Sequence, residues 1–378
     1  MICLDNAATT FPKPERVYRE AERVMRTCTG NPGRGSHTLA LAAAEEIYRC
    51  REAVAELFDG DPERVVLTPN ATTALNLALK GLLRPGDHVL TSALAHNSVR
   101  RPLYDLEREG VIVEEYPVFP RGEALAAIRR MLRPTTRVVE VTVRSNVVPV
   151  GLPLYEIASL CKGRGITLVV DASQGAGTVP LSLKRLGRAV ICAPGHKGLY
   201  GLPGSGFALF SKEIEAKELR PLLSGGSGLR SIEPEMPDLF PERLEAGTLN
   251  APAAASLRAG IEAVREIGVR EIDHRERMLR RRLVGWLMEM RAVEVYLPHA
   301  DQGSIVLFNI RGKSAAEVGA YLDGQGIAVR AGLHCAPMAH RLLGTPEGGA
   351  VRASLGMFNT EREVDALARA LGEICTIQ

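Results

Sequence analysis

Thr167-Leu168-Val169-Val170-Asp171-Ala172-Ser173-Gln174-Gly175-Ala176-Gly177 is an apolar, β-branched run that stops at a carboxylate and turns on small residues. A short run with no polar alternation is a strand buried on both faces, the habit of parallel sheets. Ligands bind at the carboxyl ends of such strands, so Asp171 sits on a binding rim. Similar runs recur between Ala53 and Phe210, at 65–68, 88–92, 111–116, 137–142, 189–192 and 206–210. Helical patterns separate them, including 72–83 and 154–162. The alternation predicts an α/β fold with a mostly parallel seven-stranded sheet covered by helices.

Beyond Gly226 the chain becomes loop-like, and then one long helix, 252–290, is expected as the passage between domains. Strand patterns at 293–297, 304–310 and 327–330 and helices at 314–325 and 360–374 predict a smaller α+β domain. Arg280, Arg281 and Arg282 read as a solvated face of the long helix.

Composition excludes several function classes. A net charge of +3 over 378 residues gives no electrostatic footprint for nucleic acid or an anionic membrane. The seven cysteines are scattered and odd in number with no C-x-x-C pair, so neither a disulfide framework nor a zinc or other metal site is expected. No apolar stretch reaches membrane-spanning length, and Met1 to Asn6 do not open a secretory leader, which predicts a cytoplasmic protein.

The rim gains a second group 26 residues after Asp171, where the next strand ends in Pro194-Gly195-His196-Lys197-Gly198. An aspartate and a lysine at successive strand ends suit pyridoxal 5'-phosphate: the amine forms a Schiff base with the aldehyde, and the carboxylate keeps the pyridine nitrogen protonated. Asn70-Ala71-Thr72-Thr73 follows a strand and opens a helix, offering backbone N–H groups and the Thr72 hydroxyl to a phosphate. His96, after the strand at 88–92, reaches the same rim and suits stacking on a planar ring. The glycine-rich stretch 198–206 matches neither the P-loop nor the dinucleotide fingerprint.

Far downstream, Val329-Arg330-Ala331-Gly332-Leu333-His334-Cys335-Ala336-Pro337 sets one cysteine in a loop beside Arg330 and His334. A reactive thiolate needs partial exposure and nearby positive charge, which these two neighbours are expected to supply.

Together these residues resemble the class V aminotransferases, and among them the cysteine desulfurase and selenocysteine lyase group. The resemblance spans the chain through Leu4 to Thr10, Asn31 to His37, Ala95 to Ser98, Ser145 to Val147, Asp171 to Gln174, Gly195 to Lys197, Glu245 to Thr248, Arg330 to Pro337 and Val351 to Ser354. It implies the pyridoxal-phosphate fold type I, resembling aspartate aminotransferase. A large cofactor-binding domain is expected over 16–255, and a small one over 256–378 completed by residues 1–15. It further implies that Lys197 carries the cofactor, Asp171 pairs with the pyridine nitrogen, Gln174 contacts the ring hydroxyl and His96 stacks on the ring and assists proton transfer. Ala71, Thr72 and His196 would hold the phosphate, with Thr248 reaching it from the other subunit of a homodimer. Arg352, Asn146 and Arg330 would bind the substrate, with Arg352 and Asn146 on its carboxylate, because a guanidinium fork accepts a carboxylate bidentately. Cys335 would accept sulfur from L-cysteine and pass it to a protein acceptor. Its short R-x-G-x-H-C-A segment resembles the second desulfurase class, whose members also act on L-selenocysteine. Pro194 stands where the family often has Ser or Thr, so one phosphate hydroxyl is expected to be missing. Selenocysteine lyase, cysteine sulfinate desulfinase, a class V transaminase and a non-catalytic sulfur-relay scaffold are the alternatives.

Overall fold

A computed structural model describes residues 1–28, 30–33, 35–120 and 122–376. Arg34 of the Asn31 to His37 motif lies outside them. The elements begin with β1 (Ile2–Cys3), α1 (Glu15–Thr27), α2 (Thr38–Phe58), β2 (Val65–Thr68), α3 (Ala71–Leu82), β3 (His88–Ser92), α4 (Asn97–Arg108), β4 (Ile112–Tyr116) and α5 (Glu123–Met131). They continue with β5 (Thr136–Thr142), α6 (Leu154–Cys161), β6 (Thr167–Asp171), α7 (Leu183–Leu186), β7 (Ala189–Pro194), β8 (Gly206–Phe210), α8 (Ala251–Ile267) and α9 (Val269–Glu289). The last are β9 (Val293–Tyr296), β10 (Ile305–Ile310), α10 (Ala315–Gly324), β11 (Ile327–Ala328), β12 (Arg330–Gly332), α11 (Pro337–Leu343), β13 (Ala350–Ser354) and α12 (Glu361–Thr376).

The large sheet has seven strands in the order β2-β8-β7-β6-β5-β3-β4. Its strands run parallel from β7 to β4, and β8 is antiparallel to both of its neighbours. Alternate residues of each strand feed opposite layers, as a period of two requires. Leu168 and Val170 join the layer containing Val54, Ile157 and Leu257, whereas Val169 joins Leu75, Leu79 and Leu103 on the other face. Helices therefore cover both faces, and the rim is left as the open edge for a ligand.

The passage after Gly226 departs from the expected single helix. Gly268, with φ 94° and ψ 127°, breaks the run into α8 and α9, a conformation that glycine adopts at little cost. α8 lends Leu257 and Ile261 to the large sheet's core, while Leu279, Leu283 and Leu287 of α9 pack with β10 and α12 in a separate core. The expected boundary at 255/256 thus falls inside α8. The second core also takes Leu4, because β1 pairs in parallel with β11. The run expected as one strand at 327–330 is two: β11 on β1, and β12 on β13.

The arginine run is not a uniformly solvated face. Arg280 is 2% exposed, and its guanidinium donates to the carbonyls of Ile305, Leu297 and Pro298. Arg282 meets the expectation, pairing with Asp365 near the surface. Among the described residues, no helix is long and apolar enough to cross a membrane.

Candidate active site

One cavity at the carboxyl end of the large sheet is lined by Ala71, Thr72, His96, Asn146, Asp171, Gln174, His196 and Lys197, with Ser98, Thr142, Arg144 and Ser173 among the others. Eight of the twelve expected site residues thus share one wall system. Asp171 ends β6 and is buried, with Oδ1 accepting from the Ser173 N–H at 2.9 Å. Lys197 follows β7, and burial lowers its amine to about 8, against an opposing pull from Asp171. The two loops are pressed together by glycines. A Cβ on Gly198 would stand 2.3 Å from the Ala176 carbonyl oxygen, and one on Gly177 2.0 Å from that of Gly198. Only bare backbone allows this approach.

Asn70 caps α3 by accepting from the Thr73 N–H at 2.9 Å, which leaves the first N–H groups of the helix toward the cavity beside the exposed Thr72 hydroxyl. His196 contributes a buried Nδ1 that has no hydrogen-bond partner, and its ring is held neutral by burial, with a pKa of about 4. A buried orphan nitrogen beside a helix N-terminus is what an anionic group would satisfy. His96 caps α4, with Nδ1 accepting from the Ser98 N–H at 3.0 Å. Burial lowers its pKa, so the neutral ring keeps its proton on Nε2. A carboxylate, a lysine amine, a neutral ring and an anion cradle in one cavity fit pyridoxal phosphate. Pro194 lines the same cavity without a hydroxyl, as expected.

The Cys335 loop is tied to this rim by two carbonyls. The Asn97 N–H donates to the Cys335 carbonyl at 2.8 Å, and the Asn146 amide donates to that of His334 at 2.6 Å. Cys335 is exposed, with Sγ 3.5 Å from Arg330 Nη2. Arg330 is the positive group in contact with the sulfur, and Arg352 also interacts with Cys335 electrostatically. His334 is buried and held neutral, its pKa lowered to about 3 by burial and by Arg352, so its expected share of the positive charge is absent.

Two expected roles meet competition. Arg352 is 1% exposed, and it donates to Asp5 Oδ1 at 2.6 Å and to the Asn146 carbonyl at 2.9 Å. Gln174 donates to the Ala7 carbonyl at 2.9 Å. Thr248 stands apart: it is exposed, accepts from the Asn31 amide at 3.1 Å, and lines a different depression with Leu222, Leu223 and Leu249.

The aminotransferase class V model matches residues 2–367. The chain belongs to the aminotransferase class V family. Among its class V relatives is a probable cysteine desulfurase of Methanothermobacter thermautotrophicus, 32% identical over 98% of this chain and 94% of the relative. Another, from Xylella fastidiosa, is 31% identical over 98% and 90%. Of solved structures, an apo cysteine desulfurase from Thermococcus onnurineus NA1 superposes with a TM-score of 0.89 at 30% identity, covering 99% of this chain and 94% of that one. The cysteine desulfurase CsdA of Escherichia coli, in an S-sulfonic acid form, gives 0.87 at 26% identity over 98% and 94%.

Several residues beside the site had no role assigned from the sequence. Asp5 was within a quoted motif but unassigned. Glu140 is fully buried on β5 and accepts from the Thr91 and Thr142 hydroxyls and the Ser92 N–H. Burial, reinforced by Asp171, raises its pKa to about 7. A lone glutamate inside Val138-Val139-Glu140-Val141 was the available signal. His340, which hydrogen-bonds His334, had none.

Proposed function

We propose that the protein is a pyridoxal-phosphate-dependent cysteine desulfurase that converts L-cysteine to L-alanine and leaves the sulfur on Cys335. The observation that carries this reading is the pair of hydrogen bonds tying the Cys335 loop to Asn97 and Asn146, which brings an exposed thiol to the rim shared by Lys197 and Asp171. Pyridoxal phosphate, when bound, supplies an electron sink that weakens bonds at Cα and Cβ of an amino acid.

The remaining roles belong to the chain. With the cofactor bound, Asp171 would pair with the ring nitrogen, Gln174 would contact the ring hydroxyl and His96 would stack on the ring, while Ala71, Thr72 and His196 would hold the phosphate. Arg352 and Asn146 receive the substrate carboxylate, with Arg330 adding positive charge. Lys197, whose amine lies near 8, removes the Cα proton close to neutral pH. Cys335 Sγ, as thiolate, bonds to the substrate sulfur while Cβ–Sγ breaks; the electron pair stays with carbon, and a proton completes alanine. The stored sulfur then passes to a protein acceptor, for which exposed Cys335 and Leu333 provide access. Thr248 would reach the phosphate of the second subunit in a homodimer, a role that its exposure away from its own cavity supports. The cytoplasm suits this use, since an exposed thiol must stay reduced between turnovers. The smaller domain, completed by residues 1–15, takes over at Gly268 rather than at 256.

The test is alanine and sulfide release from cysteine with a reductant, by the wild type, Lys197→Ala and Cys335→Ala. Loss of both products in both variants is expected. Desulfuration intact in Cys335→Ala would sink the thiol assignment. Selenocysteine cleavage alone surviving there would favour a lyase, and amino-group exchange with a keto acid a transaminase.

A further inference from the structure

His334 and Cys335 both adopt left-handed backbone angles, with φ 51° and 55°. Two consecutive side-chain-bearing residues in that region are strained and persist only when their surroundings fix them. A directional chain of hydrogen bonds does so. His334 Nε2 lies 3.2 Å from the Arg330 carbonyl oxygen. That oxygen only accepts, so Nε2 carries the proton. His334 Nδ1, 3.0 Å from His340 Nε2, must then accept from it. His340 Nδ1, 3.0 Å from Thr345 Oγ1, in turn accepts from the hydroxyl. One placement of protons satisfies all three bonds, with both rings neutral. The rings stack at 5.2 Å with 15° between their planes, and each is 2% exposed. Burial and the nearby Arg352 keep His334 and His340 neutral, at about 3 and about 4. The chain ends on the carbonyl of Arg330, whose guanidinium reaches Cys335 Sγ.

We propose that His340, backed by Thr345, is a positioning residue for the sulfur-accepting thiol, acting through His334 to fix the left-handed turn that presents Cys335 beside Arg330. This rests on the reading of Cys335 as sulfur acceptor. A buried imidazole here does no acid–base work; it serves as a donor to one neighbour and an acceptor for another. Glutamine can do both, and leucine neither.

The experiment compares the cofactor-loaded wild type, His340→Leu, His340→Gln and Thr345→Val. Two readouts are taken: amide hydrogen exchange in the peptide spanning 330–338, and steady-state alanine release. His340→Leu is expected to speed exchange in that peptide and lower kcat about tenfold or more, with KM for cysteine within about twofold, the size of effect a displaced reacting group produces. His340→Gln should restore both readouts to within about threefold, and Thr345→Val should fall between. If His340→Leu does not fold, Thr345→Val against His340→Gln decides. Unchanged exchange in the variants, or faster exchange with unchanged kcat, overturns the proposal, as does a glutamine variant no better than leucine. A Cys335→Ala control that still releases alanine would instead overturn the acceptor reading, with the exchange data still deciding whether His340 fixes the turn.

Discussion

Asp5 Oδ1 lies 2.6 Å from Arg352 Nη2, so the guanidinium proposed for the substrate carboxylate already holds a carboxylate of its own chain. Arg352 is 1% exposed on its side chain and Asp5 25%. Exposed pairs such as Arg282–Asp365 add little to stability, because water screens them, but stripping the partner from a buried arginine costs about 3–5 kcal/mol. Asp5 therefore both stabilises Arg352 and competes with the substrate for its fork.

Asp5→Asn should separate these effects. It removes the competing charge, so KM for cysteine is expected to fall severalfold, while the melting temperature drops because Arg352 loses its counter-ion. Thermal unfolding with and without cysteine checks both: the substrate should stabilise the variant more than the wild type. A raised KM would mean that Asp5 orients Arg352 for the substrate rather than competing with it.

Gly198→Ala tests whether close backbone contact sets the distance between the Asp171 and Lys197 loops. The added Cβ would stand 2.3 Å from the Ala176 carbonyl oxygen, a backbone atom with no flexible end to yield. Pyridoxal-phosphate retention on dialysis, followed by absorbance, is expected to fall about tenfold or more, since misplacement by an ångström defeats a two-point site. Retention equal to the wild type would show that the loops can part freely.

The residues also show why some of this was legible in the sequence. Asp171 and Lys197 could be placed because one ends a continuous apolar strand and the other follows the next such strand by three residues, and sheet topology puts strand ends on one rim whatever surrounds them. The break at Gly268 was less visible, since an isolated glycine in a helical pattern is compatible with an unbroken helix. Arg280 looked solvated among its charged neighbours; its burial depends on the carbonyls of Leu297, Pro298 and Ile305, residues brought near only by tertiary packing. The same holds for His340, six residues from His334 and meeting it across the left-handed turn at 334–335.

Lys197 gives a pH prediction. Burial lowers its amine from 10.5 to about 8, so the neutral, nucleophilic form dominates above that pH and not only above 10. Protein stripped of pyridoxal phosphate and mixed with it again should become modified at Lys197 at a rate that rises with pH and levels off near 8. Borohydride trapping and peptide mass spectrometry measure this. A rate still climbing steeply at about pH 10 would place the amine at its ordinary solution value.

Glu276 carries a pH dependence of opposite consequence for stability. It lies on α9, 5% exposed, in a polar cavity lined also by Arg144, Ser304 and Lys197, with Asp273 and Tyr200 among the groups it feels. Burial raises its carboxyl from 4.5 to about 8, against the pull of Arg144 and a hydrogen bond from Ser304. Between those two values the folded state keeps a proton that the unfolded chain has released, so this group's contribution to stability declines as pH rises through the window, by at most about 1.4 kcal/mol per pH unit. Glu276→Gln has no proton to lose. The unfolding free energy of the variant relative to the wild type should therefore rise from pH 5 to pH 8, as read by denaturant melts at each pH; a difference that stays flat would mean Glu276 is already ionised in the folded protein.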